Sequence, residues 1–217
     1  MEFDDAAIAE IARISFELNE VVIIEDNFKF KNNNLNDIVE DAIYAGKKTN
    51  KIILDDKLGN IATNNARQIY NKVGGINIFQ NDDAGLQLNI GGRGLNPSRS
   101  ANFNTRQNNY DISADVLGYP ESYYTPPAEA LREIQIVRGA ASLQYGTQFG
   151  GLVNFVFKEP DIYRKLKISS SHTLGSNSLY TNFTSFSGVL NKIGYYSFIN
   201  YKKGDGFRPN SNFESIN

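Results

Sequence analysis

Glu133-Ile134-Gln135-Ile136-Val137-Arg138-Gly139-Ala140-Ala141-Ser142-Leu143-Gln144-Tyr145-Gly146, followed closely by Gly150-Gly151-Leu152-Val153-Asn154-Phe155, is the stretch on which the reading of this chain turns. Ile134–Val137 is a β-branched run that predicts a strand. Ala140–Gln144 predicts a turn of helix, and Leu152–Phe157 a closing strand. Working back from it, Leu86–Ile90 alternates strictly and predicts a strand with one buried and one polar face. Ala62, Ala66, Ile69, Tyr70 and Val73 recur at helical spacing behind Thr63, a suitable N-cap, and Gly74-Gly75 ends that helix. Short strands are expected at Ala42–Tyr44, Ile52–Leu54 and Ile76–Phe79. Between them, Asn96–Thr125 has almost no regular period except around Tyr110–Ile112, and loops of that length inside a domain are usually functional. It closes on Thr125-Pro126-Pro127-Ala128-Glu129, where a capping hydroxyl, proline in the first turn and an acid near the positive helix end predict a short helix.

Beyond Pro160 the texture changes. Leu166–Leu174 and Ile193–Lys202 alternate, Leu179–Leu190 alternates with one slip, and the turns between them are brief and polar. Alternating segments of roughly 9–11 residues joined in this way are the mark of outer-membrane barrel strands. So few of them fall short of the roughly eight needed for the smallest barrel, so the sequence reads as part of a longer one. At the other end, Val21–Glu25 is a β-branched run before the polar tract Lys31–Asn34, which predicts a strand able to pair with a partner and then a flexible link. Residues 1–5 lack the basic and apolar regions of a secretory signal, and the expectation is that the chain begins inside a longer gene.

Composition narrows the chemistry. Acidic and basic residues number 24 and 22 in 217, giving a net charge of −2 and no electrostatic footprint for nucleic acid. The absence of cysteine removes disulfides, thiolate metal sites and thiol nucleophiles. The longest aliphatic run, Val21–Ile24, is far below the ~20 residues of a spanning helix. Gly91-Gly92-Arg93-Gly94 lacks the third glycine and the following helix of a dinucleotide site. His172 stands alone in an expected strand, without the companions that metal binding or acid–base work requires. Asn182-Phe183-Thr184 matches a glycosylation sequon, which means little in a barrel strand. No nucleophile, base and oxyanion arrangement is present, and no enzyme is expected.

The stretches Leu88–Gly94, Glu133–Gly146 and Gly150–Phe155 resemble the plug of TonB-dependent outer-membrane receptors. Arg-Gly after an alternating strand, Val-Arg-Gly, a small-residue turn ending in Tyr-Gly, and Gly-Gly-x-Val-Asn occur here in the family's order. The resemblance covers roughly Ala42–Phe157. It implies an α+β fold: a small mixed-sheet plug with short helices, followed by the first antiparallel strands of an incomplete transmembrane β-barrel. The implied division is a remnant of an N-terminal extension at 1–20, a TonB-box-like strand and linker at 21–36, a plug at 37–160 and barrel strands at 161–217. Asn96–Gln107 and Gly118–Tyr124 are similar to the ferric-citrate and siderophore branch of the family. The Tyr-Val-Val-Asp-Gly-like motif of the polysaccharide importers is lacking, and Asn108–Ile112 stands in its place.

By that resemblance the protein resides in the bacterial outer membrane and imports a ferric chelate. Iron is cargo and no cofactor is implied. The expected partners are TonB with its inner-membrane energising complex, the chelate, and the lipid around the barrel. Glu20, Val21, Val22, Ile23 and Ile24 are the expected coupling strand. Arg93-Gly94 and Arg138-Gly139 are expected at plug–barrel contacts, where a guanidinium bridges lumen carboxylates and glycine permits a close turn; the alternative is that the arginines only satisfy carbonyls within the plug. Arg99, Asn102, Asn104, Arg106 and Gln107 are expected to face an anionic chelate, the alternative being an ordinary solvated loop, with Tyr119, Tyr123 and Tyr124 as amphipathic anchors or as packing against the wall. Rival readings are a receptor for cobalamin, another metal complex or an oligosaccharide, and a soluble binding module with a plug-like fold.

Overall fold

Strands β8 (Leu131–Val137) and β9 (Gly151–Phe157), formed by the two stretches quoted first, pair antiparallel inside a five-stranded sheet. The other members are β3 (Thr49–Ile53), β6 (Phe103–Gln107) and β7 (Tyr110–Asp111), in the order β3-β8-β9-β6-β7, with β6 parallel to β9. This computed structural model describes residues 34–39, 42–43, 48–54, 61–82, 84–114, 119–138, 143–146 and 148–217. All belong to the second of two units, Met1–Lys31 and Asn32–Asn217. The extension remnant at 1–20, the coupling strand Glu20–Ile24, Gly139 and the small-residue turn Ala140–Ser142 lie outside the described residues.

Strand alternation sorts the central side chains. Ile134, Ile136, Val153 and Phe155 enter the main core with Ile52, Leu54, Ile69, Tyr70, Val73, Leu88, Ile90 and Phe103. Glu133, Gln135 and Asn154 go to the opposite face. A register shift between Leu131 and Glu133 is a bulge, and it lets Leu131 reach the same core as Ile134 despite the odd spacing. A smaller cluster of Leu35, Val137 and Leu152 covers one end of the second face. The hairpins β1 (Ile38–Val39) with β2 (Ala42–Ile43), and β4 (Ile76–Ile78) with β5 (Ile90–Gly92), complete this mixed domain.

Several expectations are corrected. The helix is only α1 (Ala66–Ile69), capped by Asn65, whose side chain accepts from Gln68 N at 3.2 Å. It cannot start at Thr63 because Asn64 sits at φ 54 and is tied by its side chain to Gly85 O, Pro126 O and Ala128 N. Leu86–Asn89 is not a strand: Leu86 N donates to Asp82 Oδ1 and Leu88 N to Thr125 Oγ1, so these amides are bound by side chains. Asn89, expected on a polar outer face, is buried. Thr125 therefore caps no helix, and Ala128–Ala130 is a single 3-10 turn without a side-chain cap. Phe103–Gln107, read as irregular, is an inner strand whose Asn104 and Thr105 are buried.

After Pro160 the chain forms an antiparallel meander of β10 (Lys167–Leu174), β11 (Tyr180–Leu190), β12 (Ile193–Gly204) and β13 (Phe213–Ile216). It follows the expected alternation and adds a fourth strand. Thr181, Phe183, Ser185 and Ser187 of β11 and Asn200 and Lys202 of β12 are buried on the face toward the mixed domain. Ile168, Leu174, Leu190, Ile193, Ile199 and Ile216 all stand more than half exposed on the other face. Also outward is His172, whose ring nitrogens lie 2.9 Å from Asn182 Nδ2, 3.1 Å from Tyr180 OH and 3.2 Å from Ser170 Oγ.

The Phe103 ring lies against Gly92, Gly150 and Gly151. A Cβ on Gly150 would meet Asn102 O at 2.5 Å and Phe103 Cδ2 at 2.7 Å. Gly150→Ala is expected to cost about 2 kcal/mol or more in urea unfolding, through overpacking against backbone. Tyr70 behaves oppositely. Burial pushes its phenol pKa up, and its hydroxyl has no hydrogen-bond partner among the described residues. In the same unfolding experiment Tyr70→Phe should be neutral or stabilising by up to about 1 kcal/mol.

Candidate functional site: the seat of the domain and its polar corners

The mixed domain rests on the inner face of the meander through a few contacts. Phe157, at the end of β9, meets the Phe198 ring edge-on at 5.4 Å between centroids, and Phe198 stacks on Phe183 at 5.8 Å. Tyr196 OH donates to Ala130 O at 3.4 Å, Asp161 N to Ser187 Oγ at 2.7 Å, and Lys202 Nζ to Ala84 O at 2.8 Å. Glu129 reaches Ser171 of β10. Burial raises the Glu129 pKa, with the Ser171 hydrogen bond and the charges of Lys202 and Lys158 acting against that rise.

The residues expected to face a ligand divide into separate groups. Arg99, held at φ 51, donates to Tyr123 OH at 3.3 Å, stacks over that ring at 5.6 Å and lies 4.0 Å from Glu121 Oε1. Tyr123 OH in turn donates to Glu121 Oε2 at 2.6 Å, which raises the phenol pKa. The result is an exposed guanidinium–phenol–carboxylate cluster. Asn102 donates to Asn96 O nearby in sequence, Tyr119 is exposed, and Tyr124 is half-buried with a raised pKa from burial.

Asn104 and Arg106 instead form an interior network on β6. Arg106 donates through Nε to Asn109 O at 2.6 Å and through Nη1 to Asn104 Oδ1 at 3.2 Å, and lies over the Tyr145 ring at 4.7 Å. Asn104 Nδ2 donates to Asp111 Oδ2 at 2.9 Å. Gln107 ends the strand opposite Tyr110. Sequence reasoning missed Glu121, Asp111, Tyr145 and Lys202 as members of these groups. The spacing Glu121-x-Tyr123 held a signal for the first; nothing local marked the others.

Arg93 and Arg138 converge on the Gly74-Gly75 turn. Arg138 donates to Gly74 O and, at 2.5 Å, to Asn50 Oδ1, while Arg93 N donates to Gly75 O at 3.4 Å. Burial, and then the nearby Arg93 charge, lower the Arg138 pKa. Arg93 and Gly94 form the turn after β5 at φ 55 and φ 79. Among the described residues neither arginine has a carboxylate partner.

On the second face, Asn154 exchanges hydrogen bonds with Asn109 and donates to Gln135 Oε1 at 3.0 Å. Gln135 donates to Glu133, which pairs with Lys51 at 2.7 Å. This ladder lines a cleft of about 260 Å³.

A mixed domain seated by its edge on the inner face of an open antiparallel wall is the architecture of a plug and the beginning of its barrel. Residues 47–152 match the family model described as TonB-dependent Receptor Plug Domain. No curated protein matches the sequence. Among solved structures, the unliganded ferric citrate transporter FecA superposes with a TM-score of 0.56 at 22% identity over 77% of this chain. The siderophore receptor PirA from Pseudomonas aeruginosa gives 0.55 at 22% over 74%, and the ferric enterobactin receptor PfeA 0.53 at 22% over 74%. The chain spans 27%, 29% and 25% of those three proteins. Residues 47–152 thus form a plug domain of the TonB-dependent receptor type, and the meander after them has the form of an unclosed portion of a barrel.

Asp111 offers a test of the interior network. Burial acts to raise its pKa, but hydrogen bonds from the Ser113 hydroxyl and amide and from Asn104, with the Arg106 charge, outweigh it and hold the carboxyl below its ordinary range. A carboxylate whose folded pKa is depressed stabilises the fold at neutral pH and loses that contribution as pH falls through the folded value. Urea midpoints taken from about pH 7 to pH 3 should therefore drop on acidification. Asp111→Asn should flatten part of that drop; an unchanged acid profile would show that the pairing contributes nothing.

Proposed function

We propose that this chain is the plug and first wall strands of a bacterial outer-membrane receptor that takes up a ferric chelate, citrate or a siderophore, using energy delivered by TonB. The observation that carries the reading is the plug's seat on the wall, with Phe157 against Phe198 and Lys202 on Ala84. A domain held there obstructs the lumen beside these strands until it is moved. The exposed aliphatic positions of the wall, such as Ile168, Leu174, Ile193 and Ile199, point away from the plug, as lipid contact requires.

In this reading the division is an extension remnant at 1–20, a coupling strand and linker at 21–36, a plug at 37–160 and wall strands from 161. Glu20–Ile24 pairs with TonB, which its inner-membrane complex energises. Iron passes through as cargo. Arg99 and Tyr123 support the ligand assignment, because an exposed guanidinium beside a phenol binds the carboxylates of an anionic chelate once Glu121 is displaced. Asn102, Tyr119 and Tyr124 flank them; Asn104, Arg106 and Gln107 lie behind on β6 and support the loop. Arg93 and Arg138, two neighbouring cations with no carboxylate partner among the described residues, support a contact with acidic groups of the remaining wall.

The test uses the full-length receptor in cells. Labelled ferric citrate uptake should vanish without TonB, and Arg99→Ala should weaken chelate binding about tenfold or more, the worth of one charge-assisted hydrogen bond. Uptake of cobalamin with no response to ferric citrate would overturn the iron assignment, and uptake indifferent to TonB would overturn the energised mechanism.

A further inference from the structure

Lys202 is an anomaly in the wall. It is 2% exposed on β12, and its inward neighbours on the same strand are Tyr196, Phe198 and Asn200. An ammonium removed from water costs several kcal/mol unless it is paired and hydrogen-bonded. Here Nζ donates to Ala84 O at 2.8 Å, and the negative charges of Glu129 and Asp82 are near enough to act on it. Asp82 also holds the segment itself, its Oδ1 accepting from the amides of Ala84 and Leu86, both at 3.0 Å.

From Ala84 the polypeptide is pinned step by step toward the exposed cluster. Gly85, at φ 58, packs on the Asn64 backbone and gives its carbonyl to Asn64 Nδ2 at 3.0 Å. Gln87 Nε2 donates to Ser122 O at 2.8 Å, and Leu88 N to Thr125 Oγ1 at 2.7 Å. Ser100 Oγ donates to Leu88 O at 2.7 Å, and Arg99 N to Asn89 Oδ1 at 2.8 Å. Arg99 and the segment carrying Tyr123 are therefore tied to residues 84–89, and that segment is tied to the wall at Ala84 by Lys202.

We propose that Lys202 is a positioning residue, the strut by which the barrel wall fixes the plug segment 84–89 and, through it, the placement of Arg99 and Tyr123. The ligand-facing role of those two residues rests on the function proposed above; the mechanical linkage does not. A displacement of segment 84–89 breaks the strut, and a displaced strut releases Arg99, so ligand contact and wall contact change together.

Hydrogen exchange on the full-length receptor, without ligand, tests the linkage. Lys202→Met should speed exchange of amides in 84–89 and 99–101 at least tenfold while those of β8 and β9 stay as in the wild type. Unchanged exchange in 84–101 overturns the proposal. So does an equal rise throughout β8 and β9, which would mark a merely structural lysine. Should the methionine variant fail to assemble, Asp82→Asn leaves the wall intact and should give the same localised loosening; its absence overturns the proposal equally. Ferric citrate binding measured on the same wild-type sample separates the two claims, because a receptor that ignores ferric citrate loses the ligand reading and leaves the exchange result standing.

Discussion

The approach of the Phe103 ring to bare backbone at Gly92, Gly150 and Gly151 is the contact on which the plug is built. It joins β5, β6 and β9 at a point where no side chain fits, and Gly151 at φ 145 has its missing Cβ position 2.6 Å from Val137 O of β8. The parallel pairing of β6 with β9 begins at Phe103 and Gly151. Without that intimacy β6 would lose its register, and with it the interior network of Asn104, Arg106 and Asp111. The Gly-Gly of the plug motif is thus a packing requirement before it is anything functional.

The sheet made this way is two-faced in an unusual manner. One side closes on a dry core. The other carries Glu133, Gln135 and Asn154, each buried yet hydrogen-bonded. A half-satisfied polar row would be worse than an apolar one, so the completeness of the ladder from Lys51 to Asn109 is what lets it persist. An apolar surface of that size would seek its own partner, and the polar row removes that tendency. The asparagine of Val153-Asn154 is the hub of the ladder and accounts for its place in the motif.

Much of this was legible from residue order alone, and the failures have identifiable causes. Alternation located β10, β11 and β12 because one face is covered and the other is not, which is the condition under which a period of two is informative. The strands at Ile134–Val137 and Leu152–Phe157 were plain from their share of β-branched and aromatic residues. Leu86–Asn89 deceived because its alternation coincides with amides claimed by Asp82 and Thr125, distant side chains no local pattern discloses. Phe103–Gln107 was hidden for the opposite reason: its Asn104 and Arg106 bond to each other, to Asp111 and to Asn109, so an inner strand with polar residues reads as a loop. The ligand-facing set suffered accordingly. Arg99 and Tyr123 do meet, whereas Asn104 and Arg106 belong to the sheet, and only tertiary pairing distinguishes the two.

The seat on the wall differs from the core in kind. Within the plug, cohesion comes from interdigitated aliphatic and aromatic side chains whose loss typically costs 2–5 kcal/mol each. Against the wall, apart from the Phe157–Phe198 contact, it comes mainly from hydrogen bonds to plug backbone, at Ala84 and Ala130. Net contributions of such bonds are about 0.5–1.5 kcal/mol, or about 1.5–3 where a charge takes part. The sum is closer to the free energy of a local opening than to that of unfolding a domain. A plug fastened in this manner separates from its wall before its core gives way, and because the acceptors at Ala84 and Ala130 are carbonyls, those two bonds make no demand on the side chains there. Movement of an intact segment, rather than dissolution of the domain, is the transition these energies favour.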